Sequence, residues 1–381
     1  MAGKYWNESW NPIKVEGGGY HCTKCSSGCK HCWAEGYNLR FGNHKPYDNG
    51  PVEYVLDEKV LNKPLRTRKP TVFFVCDLCD LFHPQVPFEF VEQVRWTMSV
   101  SREHSFLVLT KRPEQLLKYF NHSISRGYTD WTARPNTYWG LTICNQDEAD
   151  KKLPVFLQIP GHKWLSIEPC LGEINIEKYL VPIECTLCEP SNCDHVGDNE
   201  CRYAGNVPSA HIEQVVVGGE SGTGARPMHP DWARSLRDQC EAAKTGRSII
   251  DYGKPHCGRR YLELQDSGVP FFFKQWGKWG IWKPIATDYQ KRLRIVGTSE
   301  PLSQNTIIKL FPEHAKSTIP LTGWAKVGTK KAGRLLDGRE HNQLIWRPTK
   351  TNRVMVYDGF GPGDYHYEDE VVAEKGECKN D

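Results

Sequence analysis

Four cysteines lie within eleven residues near the N-terminus of the chain: Cys22, Cys25, Cys29 and Cys32. Small, turn-forming residues occupy positions 26–28, so the chain between the thiols can bend sharply. Each iron of an iron–sulfur cluster prefers tetrahedral sulfur coordination, and a short loop with closely spaced thiolates can wrap one cubane. The residues with the clearest chemistry therefore predict metal binding through sulfur.

Two cysteine triplets could hold such a cluster. Cys25, Cys29 and Cys32 have the C-x3-C-x2-C spacing typical of radical S-adenosylmethionine enzymes, whereas Cys22 with the last two gives C-x6-C-x2-C. A triplet leaves one iron free for the amino and carboxylate groups of S-adenosylmethionine, whose reductive cleavage releases a 5′-deoxyadenosyl radical. The competing prediction is a zinc site, which would use all four thiolates in a closed tetrahedron.

Composition and charge limit the class of protein. The chain has 381 residues, 39% hydrophobic and 25% charged, with a formal net charge of +3, as expected for a soluble globular protein. No apolar run is long enough to span a membrane, and residues 1–8 do not resemble a signal peptide, so we expect a cytoplasmic protein. In a reducing cytoplasm, 15 cysteines indicate metal binding rather than disulfides.

The elements that must position these cysteines are short apolar strands, each followed by polar residues. The strand-like runs are 71–75, 106–109, 138–141, 163–167, 214–217 and 269–273. They are apolar on both faces, as buried parallel strands are, and helix-like segments lie between several of them, at 89–101, 113–120 and 231–243. This alternation predicts an α/β fold with a full or partial (β/α) barrel.

In such barrels the active site lies at the carboxyl ends of the strands. Six polar residues follow predicted strands: Asp80, Lys111, Arg112, Glu168, Glu220 and Lys274. We expect about half of the six to face the pocket, the others being helix caps or surface ion pairs. Lys111, Glu168 and Lys274 are the candidate catalytic residues. Asp80 and Arg112 are candidate cofactor-binding residues.

The predicted barrel occupies residues 1–280, with an insertion at 182–210. Residues 281–365 lose the strand–helix alternation and are predicted to form an extension packed on the barrel. Residues 366–381 are predicted to be a polar, disordered tail.

Further cysteines lie outside the N-terminal loop. The insertion contains Cys185, Cys188, Cys193 and Cys201. A Cys-x2-Cys pair followed by two more ligands in a polar loop predicts structural zinc, with free thiols or a second iron–sulfur cluster as alternatives. Cys76 and Cys79 are predicted to be pocket-lining or buried thiols.

Several ordered blocks resemble one known family. They are 10–12 (Trp-Asn-Pro), 26–34 around Cys29 and Cys32, 80–83, 109–113, 165–169, 217–222, 225–228, 273–277 and 336–340. Together they span roughly residues 5–345 and resemble a phage-associated family of radical S-adenosylmethionine-like proteins with a three-cysteine motif. The resemblance implies that Cys22, Cys29 and Cys32 ligate iron. Cys25, which stands where the family usually has an aliphatic residue, is the alternative.

The resemblance also bears on a glycine-rich segment, Gly218-Gly219-Glu220-Ser221. Many radical S-adenosylmethionine enzymes use Gly-Gly-Glu to hold the methionine amino group. The chemistry suits that role, because glycines let the backbone approach closely and a carboxylate accepts from an ammonium. In those enzymes the motif comes early in the barrel, whereas here it comes late. A structural turn is therefore the competing interpretation.

The function implied by the resemblance is radical chemistry on a modified base of viral DNA in the host cytoplasm. The specific expectation is isomerisation of N-linked glycinylthymidine to its C-linked form, with electrons from a flavodoxin or ferredoxin. The base would have to be extruded from the duplex into the barrel mouth. The alternatives are a metal-stapled nucleic-acid-binding protein without turnover and a repair enzyme similar to photoproduct lyases.

Overall fold

The computed structural model describes residues 4–48, 50–127, 136–180, 211–243, 268–282, 323–326, 329–346, 353–357 and 365–369. Its strands are β1 (Glu8–Trp10), β2 (Ile13–Val15), β3 (Tyr54–Leu56), β4 (Val72–Val75), β5 (Ser105–Thr110), β6 (Thr137–Thr142), β7 (His162–Ile167), β8 (Gln214–Gly218), β9 (Phe271–Gln275), β10 (Trp279–Trp282), β11 (Gly323–Lys326), β12 (Arg353–Tyr357) and β13 (Tyr365–Asp369). The helices are α1 (Trp33–Phe41), α2 (Glu58–Leu61), α3 (Lys63–Arg66), α4 (Phe88–Val100), α5 (Pro113–Ser125), α6 (Gln146–Phe156), α7 (Glu177–Leu180), α8 (Pro230–Ala242) and α9 (Thr329–Ala332), with one 3-10 turn at Ser27–Cys29.

Seven parallel strands form the central sheet in the order β1-β4-β5-β6-β7-β8-β9. Neighbours in space are thus neighbours in the chain once the separate antiparallel pair of β2 and β3 is set aside, which is the strand order of a (β/α) barrel. Among the described residues, β1 and β9 pair with no closing strand, so the sheet is open. The α/β prediction is confirmed in its partial-barrel form.

The predicted helices correspond to α4, α5 and α8, which connect consecutive strands of the sheet. Proline stands in the first turn of α5 and of α8, where its missing N–H costs no helical hydrogen bond. Asn145 caps α6 by accepting from the backbone N–H of Glu148 at 2.9 Å. These local signals fix where the helices begin, and α5 and α6 begin shortly after the ends of β5 and β6 that line the site.

Side chains alternate between two cores on opposite faces of the sheet, as the period of a strand requires. One core includes Phe73, Leu165 and Val217 and is covered by the connecting helices. The other contains Tyr5, Val72, Phe74, Leu107, Trp164, Val216, Phe272 and Trp346. Trp346 donates its indole N–H to the carbonyl of Tyr5 at 2.9 Å. Residues 341 positions apart in sequence therefore meet on this face of the sheet.

Two further features bear on the predicted organisation. The insertion at 182–210 lies outside the described residues. The antiparallel pair of β12 and β13 ends at Asp369, so regular structure continues into the segment 366–381, for which the sequence predicts a disordered tail. Alternating aromatic residues in 365–367 favour a strand there.

Within the described chain, no helix combines the length and the apolar character needed to cross a bilayer.

Gly140 in β6 tests how tightly the sheet packs. A Cβ added there would lie 2.4 Å from Cε2 of Trp164, whereas one added at Gly172 would meet nothing within 4 Å. We therefore expect Gly140→Ala to lower the free energy of unfolding by about 1–3 kcal/mol, the usual cost of overpacking. Urea denaturation would measure it, with Gly172→Ala as the matched control. Equal stability of the two variants would contradict this packing.

Candidate functional site

A pocket of about 390 Å³ lies at the carboxyl edge of the parallel sheet. All six predicted strand-end residues line it: Asp80, Lys111, Arg112, Glu168, Glu220 and Lys274. The sequence predicts only about half of them there. The full set meets because consecutive parallel strands place their carboxyl ends along one edge.

The N-terminal cysteine loop forms one wall of this pocket. Cys22, Cys29 and Cys32 line it, whereas Cys25 is exposed and is not among the lining residues. Gly28, in the 3-10 turn, sits so close to the sheet that a Cβ there would lie 2.5 Å from the Sγ of Cys144. A glycine is therefore required where the loop crosses the end of β6.

The side chain of Glu148 in α6 anchors this loop. It accepts hydrogen bonds from the Oγ of Ser26 at 2.7 Å, and from the backbone N–H and Oγ of Ser27 at 3.1 Å and 3.0 Å. Burial by itself would raise the pKa of Glu148, but the hydrogen bond from Ser26 and the nearby ammonium of Lys152 hold it below its ordinary value. Glu148 is thus a charged anchor 122 residues from the loop in sequence.

Asp80 holds the buried polar network beneath the loop. Its carboxylate accepts from the Oγ1 of Thr110 at 2.8 Å, the guanidinium of Arg112 at 2.7 Å, and the backbone N–H groups of Phe82 and Lys111 at 3.0 Å and 3.3 Å. Asp80 and Arg112 are both buried, so each charge depends on the other. Asp80 therefore orients Arg112.

Arg112 in turn reaches the first cysteine of the loop. Its guanidinium donates to the carbonyl and hydroxyl of Thr23 at 2.7 Å and 2.9 Å, and lies 3.7 Å from the Sγ of Cys22. Burial opposes the charge of Arg112, but Asp80 and Cys22 together raise its pKa. The pKa of the Cys22 thiol is raised to about 11 by burial, an effect that Arg112 partly offsets. Cys22 therefore has a fixed cation beside its sulfur.

A second cation lies beside the middle cysteine. Burial opposes the charge of Lys111, but the thiols of Cys29, Cys144 and Cys32 outweigh it and raise its pKa. The pKa of Cys29 is lowered to about 5, chiefly by a hydrogen bond from the Cys25 thiol and further by Lys111. The protein thus favours thiolate at Cys29 and ammonium at Lys111.

This donor set fits a thiolate-ligated iron–sulfur cluster. Three thiols on one wall can ligate three irons, and the cations of Lys111 and Arg112 offset the negative charge that thiolate ligands bring. In the part of the chain that is described, no three His, Cys, Asp or Glu side chains converge as a ready site for a single metal ion. The predicted zinc ligands Cys185, Cys188, Cys193 and Cys201 lie outside the described residues, so that site stays a prediction.

Another part of the pocket lining carries an ion pair close to two aromatic rings. The Nζ of Lys274 lies 3.1 Å from Glu168, which also accepts from the hydroxyl of Tyr5 at 3.4 Å. The same Nζ is 5.5 Å from the ring centre of Tyr5 and 5.4 Å from that of Trp6, within cation–π range. A carboxylate and an ammonium held together can bind a group that carries both charges.

The glycine-rich segment after β8 permits close packing. A Cβ at Gly218 would lie 2.4 Å from the Oε1 of Glu168, and one at Gly219 would lie 2.1 Å from the carbonyl of Trp276. Ser221 also lines the pocket. These contacts agree with the structural-turn interpretation. Larger residues at 218 and 219 would collide with the segments that follow β7 and β9.

Glu220 has a partner that the sequence did not reveal. Its two carboxylate oxygens accept from Arg226, at 2.6 Å and 2.9 Å from the guanidinium and 2.7 Å from the backbone N–H. Arg226 also donates to the carbonyl of Ser27 at 3.0 Å. A methionine ammonium would have to compete with this guanidinium, so the predicted role of Glu220 in cofactor binding stays a prediction.

Four contributors to the site were missed from the sequence: Tyr5, Trp6, Glu148 and Arg226. The Asn-x-x-Glu spacing of 145–148 indicates a helix start but not that Glu148 turns to the loop. Cys76 and Cys79 both line the pocket, which confirms their interpretation as pocket-lining thiols. The pKa of Cys79 is raised by its hydrogen bond with Cys76 and by burial.

Comparison with known proteins places the chain in one family. The chain belongs to the family described as "Protein of unknown function (DUF5131)", whose model matches residues 3–256 and 261–345. No curated protein sequence matches it significantly. Among solved structures, a cysteine-to-serine mutant of spore photoproduct lyase is similar at 9% identity and a TM-score of 0.31, over 68% of each chain.

The anchoring role of Glu148 can be tested in the metal-free protein. We expect Glu148→Ala to speed hydrogen exchange of the Ser27 amide by about tenfold or more, because a hydrogen bond to a charged acceptor contributes about 1.5–3 kcal/mol. Mass spectrometry of the peptide containing 22–32 would measure the exchange. Glu114→Ala, which removes an exposed carboxylate from the first turn of α5, is the matched control. Unchanged protection in Glu148→Ala would rule out the anchor.

Proposed function

We propose that this protein is a radical S-adenosylmethionine enzyme. The observation that carries the proposal is the wall of Cys22, Cys29 and Cys32 facing a pocket at the carboxyl edge of a parallel sheet, with Lys111 and Arg112 beside the sulfurs. Three thiolates leave one iron of a cubane without a protein ligand. An enzyme needs that open position, whereas a purely structural metal site is closed.

When bound, the cluster and S-adenosylmethionine supply the 5′-deoxyadenosyl radical, and the protein supplies position and electrostatics. Cys22, Cys29 and Cys32 would hold three irons. Arg112, itself held by Asp80, fixes the segment around Cys22, and Lys111 keeps positive charge next to Cys29. Arg112 is buried, so its charge acts at a lower dielectric than in water. The electron would come from a flavodoxin or a ferredoxin.

For the substrate we propose a modified base of DNA, as the family resemblance implies. The specific reaction is isomerisation of N-linked glycinylthymidine to the C-linked form. The bond from nitrogen to the thymine methyl carbon breaks, a carbon–carbon bond forms, and the abstracted hydrogen returns, so composition is unchanged.

The ion pair of Lys274 and Glu168 supports this substrate class. The ammonium of Lys274 can donate to the glycine carboxylate, and Glu168 can accept from its amine. The rings of Tyr5 and Trp6 cover Lys274 and would keep water from that end of the pocket. Lys274 and Glu168 are therefore the residues we propose to contact the reacting group.

Alanine variants of the four loop cysteines test the metal site. After anaerobic reconstitution we expect about four irons per chain in the parent protein. Reduced with S-adenosylmethionine, it should release 5′-deoxyadenosine. Cys22→Ala, Cys29→Ala and Cys32→Ala should each lose that release.

Cys25→Ala is the comparison for these variants, because Cys25 is exposed and does not line the pocket, and its thiol contributes only a hydrogen bond to Cys29 in the metal-free loop. It should retain iron and turnover. The reverse result, with loss in Cys25→Ala and retention in Cys22→Ala, would assign the other triplet. A parent protein that binds only zinc, or that binds DNA without releasing 5′-deoxyadenosine, would disprove the proposed activity in favour of a metal-stapled binding protein.

Analysis of nucleosides tests the reaction itself. DNA containing N-linked glycinylthymidine would be treated with the reconstituted enzyme, digested and separated by chromatography with mass detection. Isomerisation predicts a nucleoside of unchanged mass and altered retention. Ultraviolet-irradiated DNA is the parallel substrate, and conversion of a thymine dimer to two thymidines there would instead identify a repair lyase. Lys274→Met should reduce conversion of the glycinyl substrate by about tenfold or more, the usual value of a charge-assisted contact.

A further inference from the structure

Helix α1, which begins directly after Cys32, exposes a row of aromatic side chains. Trp33, Tyr37 and Phe41 are 49%, 42% and 63% exposed. Their spacing of four residues places them on one face of the helix. Tyr37 and Phe41 are in contact, with ring centres 5.2 Å apart. We refer to Trp33, Tyr37 and Phe41 as the aromatic row.

The other face of α1 fixes the orientation of this row. Ala34 is buried in a small core with Tyr47 and Leu78, and Asn38 is fully buried. The amide of Asn38 donates to the side chain of Asn43 and to the carbonyl of Lys45 at 2.7 Å and 2.9 Å. The helix cannot rotate the aromatic row inward without breaking these contacts. A fixed, exposed apolar surface of this kind marks an interaction site.

A cation lies against the aromatic row. The guanidinium of Arg40 lies 4.9 Å from the ring centre of Phe41, and exposed lysines precede and follow α1 in the chain, at Lys30 and Lys45. Glu35 is the acidic residue of the helix, and it is paired with Lys24 at 3.0 Å. Aromatic rings interleaved with cations are the composition that stacks and neutralises single-stranded nucleic acid.

The aromatic row continues into the pocket. Trp33 both begins the row and lines the pocket beside Cys32. From Trp33 to Phe41 the helix rises about 12 Å. That length corresponds to about three to four nucleotides at about 3.4 Å per nucleotide of one strand.

We propose that the aromatic row, together with Arg40, is a stacking platform for about three to four nucleotides of single-stranded nucleic acid that lead to the pocket. The inference rests on the proposed function for the nucleotide that enters the pocket, but strand binding can be measured without turnover. Bases would stack on Tyr37 and Phe41, and Arg40 would contact the backbone or a base face. Extrusion of a base leaves its neighbours partly unstacked, and such a surface would hold them.

Strand affinity tests the platform. The full, anaerobically reconstituted chain would be titrated against a fluorescent single-stranded oligonucleotide and followed by anisotropy. Tyr37→Ala and Phe41→Ala should each weaken binding by about tenfold, and both variants should retain the folding and thermal stability of the parent because these side chains are exposed. Trp96→Ala is the matched control, since Trp96 is 56% exposed on α4, and its affinity should equal that of the parent.

Other outcomes would overturn the proposal. If Tyr37→Ala and Phe41→Ala bind the oligonucleotide as tightly as Trp96→Ala, the row is not a nucleic-acid surface. If they bind it normally but are reduced more slowly by flavodoxin, the row docks an electron-donor protein instead. Release of 5′-deoxyadenosine without DNA, measured in the parent and in the same variants, tests the radical activity separately from the stacking platform. If the parent protein releases none, the proposed radical activity is disproved. The oligonucleotide affinities of the variants would still test the stacking platform.

Discussion

The buried ion pair between Asp80 and Arg112 is the interaction on which the site depends. The two groups are 2.7 Å apart and buried, so each charge would be costly without the other, and the pair fixes the direction of the guanidinium. That guanidinium holds Thr23 and approaches the sulfur of Cys22. Without Asp80, the buried guanidinium of Arg112 would be unpaired and no longer held beside the thiol of Cys22. The position of the first cysteine therefore follows from a contact made at the end of β4.

The cysteine loop has little apolar content and is held by polar contacts from three parts of the fold. Arg112 after β5 holds Thr23, Glu148 in α6 holds Ser26 and Ser27, and Arg226 after β8 holds the carbonyl of Ser27. Each contact includes a charged partner, which makes it stronger than a neutral hydrogen bond. Because the three follow different strands of the sheet, the parallel sheet sets the geometry of the thiols, as a rigid scaffold does for a functional loop.

The pocket has two chemically distinct sides, and together they favour the proposed chemistry. The side with thiols and cations suits a negatively charged cluster, whereas the side with Glu168, Lys274 and two aromatic rings suits a group carrying both an amine and a carboxylate. The aromatic row of α1 leads away from the first side. The proposed metal centre, the proposed site for the glycine group and the proposed stacking surface are what radical chemistry on an amino-acid-modified base would require.

The sequence by itself determined six of the seven strands of the central sheet and the polar residues that follow them, because these depend on periodicities of a few residues; the short edge strand β1 was not predicted. It singled out the six strand-end residues but predicted only about half of them at the pocket, whereas the structure brings all six there, since parallel strands share one edge. Only the tertiary structure decided the anchors of the loop, whose partners lie 122 and 199 residues away in sequence, and the partner of Glu220. It also decided the exposure of Trp33, Tyr37 and Phe41, because such spacing is equally typical of a buried helix face. The packing of Ala34 and Asn38 settles which face of α1 meets solvent.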